Sequence, residues 1–197
     1  MSWSAPDRAQ TLHELEAGTT TEAALSFFDS LPAVTVPEMM GAWRGSELET
    51  GHQLHGLLAG LGWHGKRFEG ADRVHPLVFA GPRGRFSVNP ALVPVSLAVN
   101  YGWALRNPVI LRLGRPALRL LRTSRPKARL RMTEYRGVLT GTMSYDAIAA
   151  NDHFRKVDEE TLLGAMDLRG LSSPFLFVLR RETRDDVTPR GRAGQAR

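Results

Sequence analysis

The chain has no cysteine, which excludes thiolate catalysis, cysteine-ligated zinc, iron–sulfur clusters and disulfide staples. At 197 residues it needs no staple, because a chain of this length buries roughly 70% of the surface its unfolded form exposes. Lysine is scarce too: only Lys66, Lys127 and Lys156 occur among 26 basic residues, so the other 23 are arginine. Aromatic residues make up 8%. No long apolar run exists: the most hydrophobic window, Ala91 to Leu113, is broken by Pro94, Asn100, Arg106, Asn107, Pro108 and Arg112, short of the ~20 clean apolar residues a spanning helix requires. The opening Met-Ser-Trp-Ser-Ala-Pro-Asp has neither the basic nor the apolar region of a secretory signal, and a cytoplasmic protein is expected.

Charge is present but uneven. The net charge is +6, yet residues 106 to 136 alone hold nine arginines and Lys127 against the single acid Glu134. A local block of this kind predicts an anionic partner surface or a solvated face. At helical spacing Arg112, Arg115, Arg119 and Arg122 share one face, backed by Val109, Ile110, Leu111, Leu113, Leu118, Leu120 and Leu121. That is the pattern of an interfacial helix touching a membrane, or of a lid packed on the protein with its arginines in water. Nucleic acid is not expected as a partner, since no aromatics interleave with the arginines.

The chain divides into a flexible N-terminus over 1–18, strands and helices over 19–89, a helical, arginine-rich insert over 90–127, antiparallel strands over 128–183 and a disordered tail over 184–197. Thr19 and Glu22 have capping-box spacing ahead of a helix carrying Leu25, Phe27, Phe28 and Leu31. Gly41 to Thr50 reads as a strand, and Gln53 to Gly62 as a helix stopped by Gly62. Short strands follow at 66–68, 74–80 and 85–89. Asn107-Pro108 opens a helix that Pro116 kinks or restarts. Strands are predicted at 129–136, 138–147, 152–157, 161–168 and 175–181. In the second of these Leu139, Gly141, Met143 and Tyr145 alternate with Thr140, Thr142 and Ser144, the signature of a sheet with one covered face. About nine meandering strands predict a mainly β protein with a few helices: one antiparallel up-and-down barrel with an N-terminal helix and a helical insert.

Gly41-Ala-Trp-Arg-Gly, Gly62-Trp-His-Gly-Lys-Arg-Phe and the run Asp152-His-Phe-Arg-Lys-Val-Asp-Glu-Glu-Thr-Leu-Leu-Gly-Ala-Met-Asp occur in that order. Together they resemble the GXWXG family, whose members pair this N-terminal domain with a C-terminal domain of uncharacterised function. The resemblance spans most of residues 20 to 181 and brings no established activity. The Gly-X-Trp strand is also similar to the opening strand of lipocalin, fatty-acid-binding and nitrobindin-type barrels, which implies a calycin-like barrel holding a hydrophobic ligand or haem. No cofactor is expected: such haem barrels use a histidine near the C-terminus, whereas the last histidine here is His153.

The expected ligand is a fatty acid, isoprenoid or similar molecule. Trp43, Trp63, Lys66, Met143, His153, Arg155 and Met166 are its candidate contacts, with Lys66 or Arg155 on an acidic head. Alternatively, the same cavity serves an enzyme of isomerisation, cyclisation or hydration, with His153, Tyr145 and Asp146 as acid–base groups. Each residue also has a structural reading: Trp43 as a core plug, Tyr145 as a core aromatic, Asp146 as a turn former and His153 on a solvated strand. His52 and His55 near Glu49 lack an identifiable third ligand, and no metal site is expected. No complete phosphate-binding P-loop and no Gly-x-Ser-x-Gly elbow occurs.

Overall fold

The computed structural model describes residues 4–82 and 84–183. Two helices come first. Helix α1 (Ala5–Glu16) occupies much of the stretch expected to be flexible, and a capping box starts it: the Asp7 N–H donates to Ser4 Oγ while the Ser4 N–H donates to the Asp7 carboxylate. Helix α2 (Thr21–Ser30) is capped one residue later than its sequence suggests, by Thr20 Oγ1 accepting from the Ala23 N–H at 3.2 Å.

Strands β1 (Gly41–Glu47), β2 (Trp63–Gly70), β3 (Arg73–Gly81), β4 (Gly84–Val88), β5 (Arg122–Thr123), β6 (Ala128–Tyr135), β7 (Val138–Tyr145), β8 (Ala150–Lys156), β9 (Thr161–Leu168) and β10 (Phe175–Arg181) form one antiparallel sheet. Eight of them close into a barrel in the order β1-β2-β3-β6-β7-β8-β9-β10, β10 pairing back onto β1. Closure removes every edge except that of the β4–β5 flap hanging from β3. The expected up-and-down barrel is therefore present.

The insert leaves the barrel at its weakest seam. Strands β6 and β7 are paired along their whole length, whereas β3 and β6 share the single bridge Val74 to Ala128. Between them run β4, helix α4 (Val95–Leu105), helix α5 (Pro108–Ala117) and β5. Asn107 caps α5 as its Asn-Pro sequence predicts, Oδ1 accepting from the Val109 N–H at 2.9 Å. The short helix α3 (Leu57–Leu61) lines one mouth of the barrel, and α5 packs on α3.

Two apolar cores result. The first fills the barrel, with Trp43, Phe68, Leu130, Met143, Phe154, Leu162, Phe177 and Leu179 pointing inward. The second lies outside it, where Leu12, Phe27, Phe28 and Leu31 of the N-terminal segment pack on Leu163, Ala165, Leu176 and Val178. Strands β8 to β10 are thus buried on both faces. The same cover explains why Thr140 and Thr142, on the outward face of β7, are fully buried: Thr140 Oγ1 donates to Phe154 O at 2.6 Å and accepts from the Val34 N–H.

Candidate functional site

One end of the barrel is sealed by packing. Trp43 is 1% exposed, and its indole Nε1 donates to Met39 O at 2.7 Å. The other end, beside α3, holds a partly open cavity of about 120 Å³. Its walls are almost wholly apolar, including Leu57, Leu61, Leu77, Phe79, Met166 and Phe177.

Three polar side chains interrupt this lining. Lys66 on β2 reaches across to Asp152 on β8, with Nζ 2.6 Å from Asp152 Oδ2. The ammonium also donates to Pro76 O at 3.2 Å and to Tyr145 Oη at 3.4 Å. Tyr145 Oη in turn donates to Asp152 Oδ2 at 3.4 Å. The ammonium lies 4.9 Å from the Phe177 ring centre and 5.6 Å from that of Trp63, within cation–π range of both. Two buried polar atoms of these lining residues have no hydrogen-bond partner among the described residues: Asp152 Oδ1, an acceptor, and Trp63 Nε1, a donor.

A buried ion pair contributes little to stability, because desolvating two charges offsets most of their attraction. Placing one in an apolar cavity is therefore a mark of a site more than of a scaffold. Burial pushes the Asp152 carboxyl above its usual range, with the Lys66 ammonium pulling the other way. Burial likewise raises the Tyr145 phenol well above its ordinary value, reinforced by the charge of Asp152.

A β-bulge brings Trp63 and Lys66 together. Three residues apart on a regular strand, they would point to opposite faces, but the β2–β3 register shifts on either side of Gly65. Gly65 sits at φ +150°, and a Cβ there would lie 1.9 Å from Trp43 O. Glycine alone fits, and the extra residue turns both side chains inward.

Gly60-Leu-Gly-Trp-His-Gly-Lys66 has the spacing of a dinucleotide fingerprint and lacks only the closing Ser or Thr of a P-loop. Both motifs cradle phosphate by running from a strand into a helix. Here the segment runs from α3 into β2, and Lys66 is committed to Asp152.

Trp63, Lys66, Tyr145 and Met166 of the sequence-derived candidates meet at the cavity. Trp43 and Met143 lie elsewhere in the barrel core. His153 and Arg155 alternate with Asp152 and Phe154 and face outward. The His153 ring stacks on Tyr135 at 3.8 Å and its Nδ1 meets Thr142 Oγ1 at 3.0 Å, so burial drops its pKa to about 4. The Arg155 guanidinium donates to Leu31 O and Tyr135 O and rests over Phe28, fastening the end of α2 to the barrel. Asp146 is exposed and pairs with Arg129 at 3.1 Å. None of these three touches the cavity. A haem does not fit these residues, since no histidine lines the cavity and His153 faces the opposite side of its strand. His52 and His55 are also engaged separately, His52 with Ser173 O and His55 with Glu47 and Glu49.

Family models match two parts of the chain: GXWXG protein over residues 26–84, and a domain of unknown function, DUF4334, over residues 126–181. The chain carries a GXWXG domain followed by a DUF4334 domain. The geometry gives the GXWXG signature a physical meaning. Trp43 plugs the closed end, and Gly45 leaves the space that the Trp63 indole occupies, where a Cβ would come within 2.2 Å of the ring. The two matched segments supply three and five of the eight barrel strands, with Lys66 from the first meeting Asp152 from the second. The chain is similar to a solved structure of a protein from Thermomonospora curvata, at 29% identity and a TM-score of 0.67, covering 90% of this chain and 99% of that one. Among curated proteins none matches it.

Proposed function

We propose that this barrel binds an apolar small molecule carrying a neutral hydrogen-bonding head, such as the hydroxyl of an isoprenoid or fatty alcohol. The observation that carries the reading is the unpartnered Asp152 Oδ1 in an otherwise apolar wall. A buried acceptor without a partner costs about 1–3 kcal/mol, and a ligand that donates to it recovers that energy. Trp63 Nε1 provides the complementary donor for the ligand's own oxygen. The sequence suggested an acidic head on Lys66 or Arg155. In the barrel the Lys66 charge is already balanced by Asp152 and Arg155 lies outside, so the site favours a neutral head over a carboxylate.

The tail has somewhere to go. Leu57, Leu61, Val93 and Leu118 line both the cavity and a second apolar hollow of about 390 Å³ beneath α5. These four side chains form the partition between barrel interior and outer surface, and their displacement extends the cavity toward the size of ordinary ligand pockets.

A second reading rests on the Asp152–Tyr145 contact. A carboxyl raised by burial beside a phenol is a set that moves protons on a neutral substrate. An acid–base isomerisation would then run through Asp152 and Tyr145, and not through His153 or Asp146. Native mass spectrometry of freshly purified protein, followed by organic extraction, tests the binding reading. A co-purifying neutral lipid supports it, and loss of that mass in Asp152→Leu paired with Lys66→Met, which leaves no uncompensated charge, ties the lipid to this site. A clean apo mass, together with failure to take up any long-chain alcohol, overturns it. Turnover of an extracted ligand by the wild type but not by Asp152→Asn would favour the enzyme.

A further inference from the structure

The outer surface of the insert has an unusual composition. Residues 73 to 133 contain no aspartate or glutamate, and they hold eleven arginines and Lys127. On α5 only part of the apolar set packs inward: Leu111 is half-buried and Leu118, just beyond the helix, is buried. Val109 is 63% exposed, Leu113 68% and Leu120 86%, and Ile110 is exposed beside them. Val109 and Leu113, four residues apart, form one outward ridge, while Arg112 and Arg115 flank it and are exposed. Water gives no reason to present large apolar side chains in a ring of arginines, whereas a headgroup layer does.

A second feature agrees. Arg119 and Arg122 border a surface hollow of about 200 Å³ next to α5, beside Arg85, which is paired with Glu182, and guanidinium groups set around a hollow suit phosphate oxygens. The apolar hollow beneath α5, which adjoins the barrel cavity, opens on this same side of the molecule.

The geometry points to α5 and its flanking turn as a docking surface for anionic lipid membranes, with Val109, Ile110, Leu113 and Leu120 entering the acyl boundary and Arg112, Arg115, Arg119 and Arg122 meeting lipid phosphates. Membrane docking stands on the surface alone. Its purpose, passing a ligand between bilayer and barrel, rests on the proposed function above. A second copy of the chain is a poorer occupant of this face, because pairing it with itself would bring Arg112, Arg115, Arg119 and Arg122 of the two copies together, and residues 73 to 133 supply no acid between them.

Co-sedimentation of the full chain with vesicles decides the matter. Vesicles of phosphatidylcholine mixed with phosphatidylglycerol should bind the protein, pure phosphatidylcholine should bind it far less, and added salt should release it. Each of Arg112→Gln and Arg119→Gln should weaken partitioning about fivefold, from roughly 1 kcal/mol per basic residue near the surface. Val109→Asp combined with Leu113→Asp should abolish it while the far-ultraviolet circular dichroism and melting temperature stay unchanged, since both side chains are exposed. Binding that ignores lipid charge, or that survives the double aspartate variant, overturns the assignment. So does a chain that stays off vesicles but sediments as a dimer dissociated by Leu113→Asp, which would give the face to a second copy. Apo protein serves throughout, so vesicle binding reads the surface alone, and failure of the ligand reading would leave that result unchanged.

Discussion

Lys66 and Asp152 stand on diametrically opposed strands, β2 and β8 being four places apart in a ring of eight, and they meet across the barrel at 2.6 Å. The contact joins the two halves of the chain through its interior. Removing one partner leaves the other charge uncompensated. Lys66→Met is expected to destabilise the protein by about 3–5 kcal/mol in urea unfolding, whereas Lys66→Met with Asp152→Leu returns to within about 1–2 kcal/mol of wild type. A double variant as unstable as the single one would show that the pair is structural after all.

Gly65→Ala forces a methyl group against Trp43 O, with backbone on both sides. Backbone yields less readily than a flexible side chain, so the bulge must deform. A loss of more than about 2 kcal/mol is expected, with altered tryptophan fluorescence as Trp63 shifts. Gly84→Ala is the control: φ is also positive there, but a Cβ would have open space around it, so its cost should be the smaller.

His153 makes acid the protein's weak side. Its folded pKa of about 4 lies below the ordinary 6.5, so the unfolded chain binds the extra proton more readily. This contribution is fully present above pH 6.5 and is lost as pH falls toward 4, amounting to up to about 3 kcal/mol. His52 and His75, also lowered by burial, add to the wild-type slope. Unfolding measured across this range should show a shallower pH dependence in His153→Gln. Equal slopes in the two proteins would refute the assignment.

Thr140 ties the segment after α2 to the barrel by donating to Phe154 O and accepting from the Val34 N–H. Thr140→Val keeps the shape and orphans both groups. A loss of about 1–3 kcal/mol in chemical denaturation is expected, and an unchanged midpoint would contradict the buried geometry.

The strands of the last third were legible because turns punctuate them regularly, and β9 and β10 fall on the predicted residues. Helix α1 was not, since only Leu12 of its twelve residues is buried and its Ser4–Asp7 cap is a weak signal amid polar sequence. Tyr145 was readable from the alternation of β7. Asp152 was not, because β8 is covered on both faces and loses the contrast that tells inside from outside: Asp152, His153, Phe154 and Arg155 are all buried. The signal was the chain parity of Asp152 with Phe154, an acid in step with a core aromatic. Lys66 was singled out, but its meeting with Trp63 depends on the bulge at Gly65, which strict two-residue periodicity cannot reveal.

A barrel that selects a neutral donor head through Asp152 Oδ1 must discriminate ligands by their head groups alone. The direct measurement is competition of matched long-chain alcohol, carboxylic acid and alkane against a fluorescent apolar probe, on wild type and on Asp152→Leu paired with Lys66→Met. Wild type should prefer the alcohol by about tenfold or more, from one recovered buried hydrogen bond, and the double variant should bind alcohol and alkane alike. Preference for the acid, or an alcohol preference that survives in the double variant, would contradict it.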